Sequence, residues 1–463
     1  MEFIVFKKSI FIFRRDLRLQ DNLGLTQAVA QSEKVIPIFI FDERQVHEKK
    51  NAYFSQRSLQ FMFESLDDLQ ENIKKHDGKL YFFYGKAEDV VEKIIKTESV
   101  DAVFFNADYT PFSRKRDDAI EKVCKKNKID CFSFHDALLI HPEDILNGQK
   151  KPYQVFTAFY KRCLQENVPD EVVIKKYHFF TGSVEHAVSF SAMKKELLGQ
   201  TVESVLRGGR EHALKIVKNI DQYKKYDTTR DIPELDSTTH LSAYLKFGCV
   251  SARQVVRAIQ KELGATGAGL VRQVYWRDFY TYIAWHFPHV FTGSFVPKYD
   301  KLQWRTDKKL FDAWVHGQTG FPIVDAGMRQ LAQTGYMHNR VRLIVASFLI
   351  KDLHISWQEG EKYFASQLVD YDPSVNNGNW QWVASTGSDA APYFRIFNPW
   401  MQQEKFDPQC VYIKTWVPQL QKIAPKDIHG YFTKPIDIVG YPKPIVDHSN
   451  EVKITKLLYG KVV

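Results

Sequence analysis

A doubly wound α/β domain followed by a larger all-helical domain is the fold this sequence predicts. Three observations carry the prediction. Short apolar, β-rich runs alternate with longer amphipathic stretches through the first 140 residues. From about residue 201 a helical period takes over and such runs fade. The chain has 463 residues, 44% hydrophobic and 26% charged, which exceeds one ordinary domain and suits a globular protein with a sizeable core.

The runs SIFIF (9–13), KVIPIFIF (34–41), KLYFFYG (79–85), AVFFN (102–106) and CFSFHD (131–136) are continuous rather than alternating, as parallel strands covered on both faces are. Between the second and third, FSQRSLQFMFESLDDLQENIKK (54–75) reads as a crossover helix. The N-terminal MEFIVFKKSIFIF is short and carries charges inside its apolar run, so it reads as a strand and not a signal peptide. No stretch reaches the length of a membrane span. The first 140 residues contain only Gly24, Gly78 and Gly85, and no GxGxxG follows the first strand, which excludes the usual dinucleotide pyrophosphate turn. The expected division is an α/β domain over 1–140, a loop-rich linker over 141–200 and a helical domain over 201–463. The last thirty or so residues, with several prolines, read as an irregular cap. No internal repeat or low-complexity segment is present.

The net charge of +9 favours a polyanionic partner. Five scattered cysteines without a CxxC pair argue against a disulfide framework and against a metal site, and fit a reducing, intracellular setting. Whether that is cytoplasm or nucleus is not legible.

All nine tryptophans follow residue 275. In VRQVYWRDFYTYIAWHF (271–287), read as a helix, Gln273, Trp276, Arg277 and Tyr280 share one face, and Val271, Val274, Tyr275, Phe279 and Tyr282 share the other. The first face suits stacking on a flat ligand and bonding its edge; an aromatic stripe on a helix is, taken alone, more often core. In GYMHNRVRLIVASFLIKDL (335–353), Asn339, Arg342 and Leu343 share a face. In NWQW, Trp380 and Trp382 would point about 200° apart on a helix and cannot serve one surface. STTHLSAYL (237–245) reads as a hydroxyl-rich helix start of the kind that receives phosphate.

Together the stretches FRRDLRLQDN (13–22), RDIPELDSTTHLSAYLKFG (230–248), WRDFYTYIAWHFP (276–288), GFPIVDAGMRQLAQTGYMHNRVR (320–342) and NNGNWQWVASTGSDAAPYFRIFNPWMQQEKFDP (376–408) resemble the photolyase/cryptochrome flavoproteins over almost the whole chain. The resemblance implies an α/β antenna domain and an all-α domain holding FAD, reduced in its active state. By position, Tyr226, Thr238, Thr239, Leu241 and Ser242 match the family's pyrophosphate-side contacts. Arg342, Asp370, Asp372 and Asn376 match its flavin contacts, with Asn376 opposite flavin N5. Trp380, Trp357 and Trp304 match its electron relay, and Trp276 and Trp382 the two indoles that wall a lesion pocket.

The implied activity is light-dependent repair of cyclobutane pyrimidine dimers in UV-damaged DNA. Gln273, Asn339, Trp276 and Trp382 would stand at the lesion. Arg230, Gln273, Trp276, Met337, Asn339, Arg340, Trp382, Gln402 and Lys405 would face the DNA. A (6-4) photolyase would carry histidines where Asn339 and Leu343 stand. A cryptochrome light receptor shares the fold and relay, but the kept pocket residues and the lack of a long C-terminal extension weigh against it. Gln273 replaces the family's usual Glu, keeping hydrogen bonds while losing ionisation. Leu270 and Tyr336 replace frequent aromatics, the latter a Trp. Ser113 stands where folate-binding relatives place an acid, so a deazaflavin or second flavin is favoured over folate as antenna, with an empty pocket as the alternative. A monomer without an obligate protein partner is expected.

Overall fold

The computed structural model describes residues 5–433 and 436–462. Strands β1 (Phe6–Phe13), β2 (Ser32–Phe41), β3 (Tyr81–Tyr84), β4 (Ala102–Asn106) and β5 (Asp130–Phe134) form one parallel sheet in the order β3-β2-β1-β4-β5. Each predicted strand is present; the first four residues of the N-terminal run lie outside the described residues. Phe11, Phe13, Phe41 and Phe104 are fully buried, which explains why the runs show no alternation. The predicted crossover is the helix Gln56–Lys74, started by Ser55, whose side chain accepts from the Ser58 N–H.

The strand order reverses at β1, so the carboxyl ends of β1 and β4 open a crevice. At the first helix, Leu23–Gln31, the place a phosphate would take is filled by protein. Asn106 Oδ1 accepts from the Gly24 N–H at 3.0 Å, and its amide donates to Asp16 and Asn22. A Cβ on Gly24 would come within 2.7 Å of that oxygen. The glycine serves a close approach by Asn106, in agreement with the absent dinucleotide motif.

The helical domain docks on this sheet through buried charge. Arg253, on the helix Ala252–Leu263, donates to Asp21 and Asp136, and Arg18 completes the cluster. Arg18, Asp21, Asp136 and Arg253 are each at most 2% exposed. Burial alone would raise the Asp136 carboxyl, but the Arg18 and Arg253 charges and hydrogen bonds outweigh it and hold it below its ordinary value. Removing one member strands the others: Arg253→Ala is expected to cost about 3–5 kcal/mol, read as a fall in the urea midpoint, and a loss under 1 kcal/mol would contradict the arrangement.

Two readings of the sequence are corrected. The segment 141–200 is more than a loop: it carries helices Phe156–Cys163 and Phe190–Leu198. Phe156 and Phe159 pack on the helix Ala268–His286, and Phe179 and Val188 bridge to β2 and β3. The C-terminal cap is irregular only up to about 447. A helix, His448–Gly460, follows, capped by Asp447 and anchored by buried Thr455 and Tyr459. Its apolar residues do not mark the buried face, since Ile454 and Leu457 are exposed while Thr455 and Tyr459 are buried. No described helix is long and apolar enough to cross a membrane.

Candidate cofactor and nucleic-acid site

The helix Pro373–Ala384 organises the site. Asp372 caps it, accepting from the Ser374 and Val375 N–H groups at 3.0 and 3.2 Å. Asn376 and Trp380 lie one turn apart on one face, and both are buried. That face packs on the helix Trp357–Gln367. Asn376 donates to the Glu361 backbone oxygen and carboxylate at 3.0 and 3.1 Å, and a Cβ on Gly360 would meet the Trp380 ring at 2.3 Å. Trp380 also meets Phe364 edge-on at 5.0 Å. Trp382 is only partly buried and faces elsewhere, as the helical spacing requires. Gly378 is needed for a helix crossing: a Cβ there would lie 2.0 Å from the Tyr280 ring. Gly360→Ala is expected to push Trp380 out of register, read as altered indole fluorescence and a stability loss of about 1–3 kcal/mol from overpacking.

A polar wall stands on the neighbouring elements. Arg342, on the helix Asn339–Ser347, pairs with Asp370 at 3.0 Å, and Ser242 donates to the same carboxylate at 2.7 Å. Thr238 and Tyr336 hydroxyls lie 3.4 Å apart, and Tyr226 is buried with the Arg230 guanidinium 5.8 Å from its ring centroid. The hydroxyl-rich segment differs in detail from the expected cap. His240 is the N-cap, in a left-handed conformation at φ 53°, of a helix of only six residues, Leu241–Lys246. Thr239 Oγ1 accepts from the Leu241 N–H at 3.4 Å.

Asp372 is the link to the α/β domain. Arg15 pairs with it and with Asp108 and donates to the Lys246 carbonyl at 3.0 Å. Burial pushes the Asp372 carboxyl up, but Arg15 and Arg277 reverse this and leave it below its ordinary value. Burial and the Arg15 charge drive the neighbouring Lys246 ammonium down to about 7. The sequence offered no sign of Arg15 beyond its place in FRRDLRLQDN, because its partners lie more than 90 residues away.

Two imidazoles that the sequence reading passed over border the same wall. His338 Nδ1 accepts from the Arg340 N–H at 3.2 Å, so its neutral ring carries hydrogen on Nε2. That nitrogen is buried without a partner among the described residues, and burial holds the ring down at about 4. His240 bonds Asp236 through Nε2, while its Nδ1 is likewise buried and unpartnered, its ring 4.5 Å from Tyr336. Unfilled donors and acceptors beside aromatic rings and a paired Arg342–Asp370 fit a flat, polar, hydrogen-bonding group such as a flavin nucleotide.

The expected lesion and DNA positions are spread over several helices. Gln273 is exposed, and Trp276 is half-buried with its ring flat on Phe156 at 3.6 Å. Asn339 is exposed at the start of its helix. Arg340 lies over Phe406 and pairs with Asp231, Lys405 is exposed, and Gln402 keeps a buried Oε1 without a partner among the described residues. Two expectations fail here. Met337 is fully buried in the helical core, so it backs the pocket and cannot touch DNA. Arg277 leaves the Gln273 face and donates to the Ala137 carbonyl of the α/β domain at 2.9 Å, because the paired Asp278 is drawn into that interface. On the relay, Trp357 is buried at the head of its helix, and Trp304 is partly buried against Tyr459 at 6.4 Å.

The chain matches known proteins over nearly its whole length. Residues 9–173 match the family model described as DNA photolyase, and residues 270–460 that described as FAD binding domain of DNA photolyase. A deoxyribodipyrimidine photo-lyase of Alkalihalophilus pseudofirmus is 36% identical over 95% of each chain. The crystal structure of an archaeal photolyase from Sulfolobus tokodaii with two FAD molecules superposes with a TM-score of 0.89 at 40% identity, covering 98% of this chain and 100% of that one. A cryptochrome from Synechocystis gives the same TM-score of 0.89 at 27% identity, over 98% and 99% of the two chains.

Proposed function

The chain belongs to the photolyase/cryptochrome family, and on that premise we propose how its residues divide the work of light-dependent repair of cyclobutane pyrimidine dimers in DNA. It is an enzyme of the deoxyribodipyrimidine photo-lyase type with an FAD-binding domain. The observation that carries the division is the helix Pro373–Ala384. It buries Asn376 and Trp380 on one face while leaving Trp382 partly open on another.

Reduced FAD, when bound, supplies on illumination the electron that splits the dimer and receives it back. Arg342, Asp370, Asp372 and Asn376 hold the flavin; Tyr226, Thr238, Thr239, Leu241 and Ser242 hold the pyrophosphate side. Two ring nitrogens without a partner among the described residues, His240 Nδ1 and His338 Nε2, support this reading, since a bound nucleotide would supply the missing partners. Trp276 and Trp382 wall the space that receives the flipped bases, at an unstacking cost of about a few kcal/mol. Gln273 and Asn339 bond the pyrimidine edges. Trp380, Trp357 and Trp304 recharge the cofactor. Arg230, Arg340, Gln402 and Lys405 hold the DNA strand, and the protein acts as a monomer.

The direct test is repair of a dimer-containing oligonucleotide by the purified yellow or blue protein under near-UV or blue light. Equal repair in the dark, or action on (6-4) lesions alone, would contradict the reading. Arg230→Ala should weaken binding to damaged and undamaged DNA alike and lower the salt slope by about one phosphate contact. Gln273→Glu should keep lesion affinity within about threefold, since both side chains accept hydrogen bonds, and change mainly the repair quantum yield. Unchanged affinity and yield in Gln273→Ala would remove the residue from the lesion surface.

For the antenna, a flavin or deazaflavin in place of folate is supported by Ser113. It is buried, and its hydroxyl donates to Asp108 at 2.9 Å. Burial raises that carboxyl, but Arg15 and Arg116 overcome it and hold it down at about 2, so it remains an acceptor for Ser113. The similar archaeal photolyase carries two FAD molecules.

A further inference from the structure

We propose that Asp389 and Phe156 are positioning residues for the lesion site: Asp389 caps the helix Phe156–Cys163 from 233 positions along the chain, and Phe156 then fixes which face of Trp276 is open to a base. The proposal rests on the reading that Trp276 and Trp382 wall the space for the flipped bases, and it adds what holds those two walls to each other.

The helix Phe156–Cys163 begins without a cap of its own. Its N-cap residue is Val155, which offers no side-chain acceptor and is 48% exposed. Asp389 takes the role, its Oδ2 accepting from the Phe156 N–H at 3.1 Å. A carboxylate there meets both a free N–H and the positive end of the helix. The preceding residue, Ser388, donates its hydroxyl to the Gln154 carbonyl at 2.6 Å, so two consecutive side chains hold the backbone on either side of Val155. Asp389 has a left-handed backbone at φ 52°, a conformation that aspartate and asparagine tolerate better than most residues. Both residues lie just beyond the end of the helix Pro373–Ala384, which carries Trp382.

Phe156 is buried between two flat partners, Trp276 at 3.6 Å and 8° and Tyr160 at 5.6 Å and 7°. One face of the indole is thereby covered, and Phe279 meets it edge-on at 5.7 Å. A base can stack only on the face that remains. On the same helix as Trp276, Tyr280 tilts against the indole at 5.6 Å, and a Cβ on Gly378 of the Trp382 helix would meet the Tyr280 ring at 2.0 Å. The contacts therefore close a ring. They run from the helix bearing Trp382 through Tyr280 to Trp276, from Trp276 through Phe156 to Asp389, and along the chain back to that helix. Opening the ring at Asp389 frays the start of the helix Phe156–Cys163 and frees Phe156. The indole then keeps its place in the fold but loses the support that selects its orientation.

The test is the ratio of dissociation constants for undamaged and dimer-containing duplexes in the holoprotein at one fixed salt concentration, beside hydrogen exchange of the peptide that carries the Phe156 amide. Asp389→Gly removes the carboxylate and suits the left-handed backbone. Asp389→Asn removes the charge but keeps an oxygen that accepts. Asp389→Gly is expected to speed exchange at Phe156 and to lower the ratio about three- to tenfold, the range that an oriented aromatic pair carries. Asp389→Asn should hold both close to wild type. Phe156→Leu, which stays apolar but loses the flat ring, should lower the ratio by a comparable factor, and the two changes combined should lower it no further than Phe156→Leu alone. An unchanged ratio in Asp389→Gly or Phe156→Leu, equal losses in Asp389→Gly and Asp389→Asn, or losses that multiply when combined, overturn the proposal. A wild-type ratio in Trp276→Ala would defeat the lesion reading and this inference with it; a ratio lowered by Trp276→Ala but not by Asp389→Gly would defeat this inference alone.

Discussion

Trp382→Ala is expected to lose about one to two orders of magnitude in preference for dimer-containing over undamaged DNA, because stacking on a base is worth roughly 1–3 kcal/mol. The indole is partly open while its neighbours Gln381 and Val383 are buried, so truncation removes open surface together with some packing on the helical core. Gln381 keeps the helix in place by donating to the Val290 carbonyl at 3.0 Å, and folding should survive the change. Trp276→Ala should act in the same direction. Its ring lies on Phe156, which would remain as a partial platform, so its loss should be the smaller of the two. The measurement is the ratio of dissociation constants for matched duplexes at one fixed salt concentration. Equal weakening on both DNAs would remove the indole from the lesion pocket and make it an ordinary strand contact.

Trp380→Phe is expected to abolish light-driven reduction of the oxidised cofactor while repair by chemically pre-reduced protein stays close to wild type. Trp380 is 3% exposed, sits on the face that carries Asn376 and packs against the helix headed by Trp357. Losing that indole interrupts the only stage of the proposed relay next to the flavin contacts. Trp382, the residue proposed for the lesion, lies on a different side of the helix and should be untouched. Phe keeps a ring beside Phe364 but gives up the outer indole atoms against Gly360, at a stability cost of about 0.5–3 kcal/mol. Trp314→Phe is the control, since Trp314 also touches Trp380, at 6.3 Å, but donates its Nε1–H to the Val345 carbonyl and belongs to the core. If pre-reduced Trp380→Phe lost repair as fully as photoreduction, the two neighbouring indoles would share one task and the division of labour would be wrong.

Local pattern alone determined a good deal of this protein. The five strands are legible because parallel strands covered on both faces must be apolar at every position, and such runs stand out without any knowledge of their partners. The opposed facing of Trp380 and Trp382 is legible because helical geometry forbids residues two apart from sharing a surface. The missing glycines of a dinucleotide turn are legible because backbone approach needs them, and Asn106 fills that space.

What only the tertiary structure decided are the contacts whose partners lie far apart in the chain. Arg277 reads as part of a ligand-facing stripe, yet Ala137 of the other domain claims it. Met337 sits in a polar-looking segment, yet it is core because the helix Pro322–Thr334 closes over it at Gly327. Glu361, in EGEKYF, looks like one more solvated helix charge. It is instead buried beneath Asn376, 15 residues on, whose amide it holds. A sequence displays periodicity, which short-range geometry converts directly into faces. It does not display which distant group will exclude water from a side chain, and burial is what turns a charge into a titrating group or an indole into a pocket wall or core.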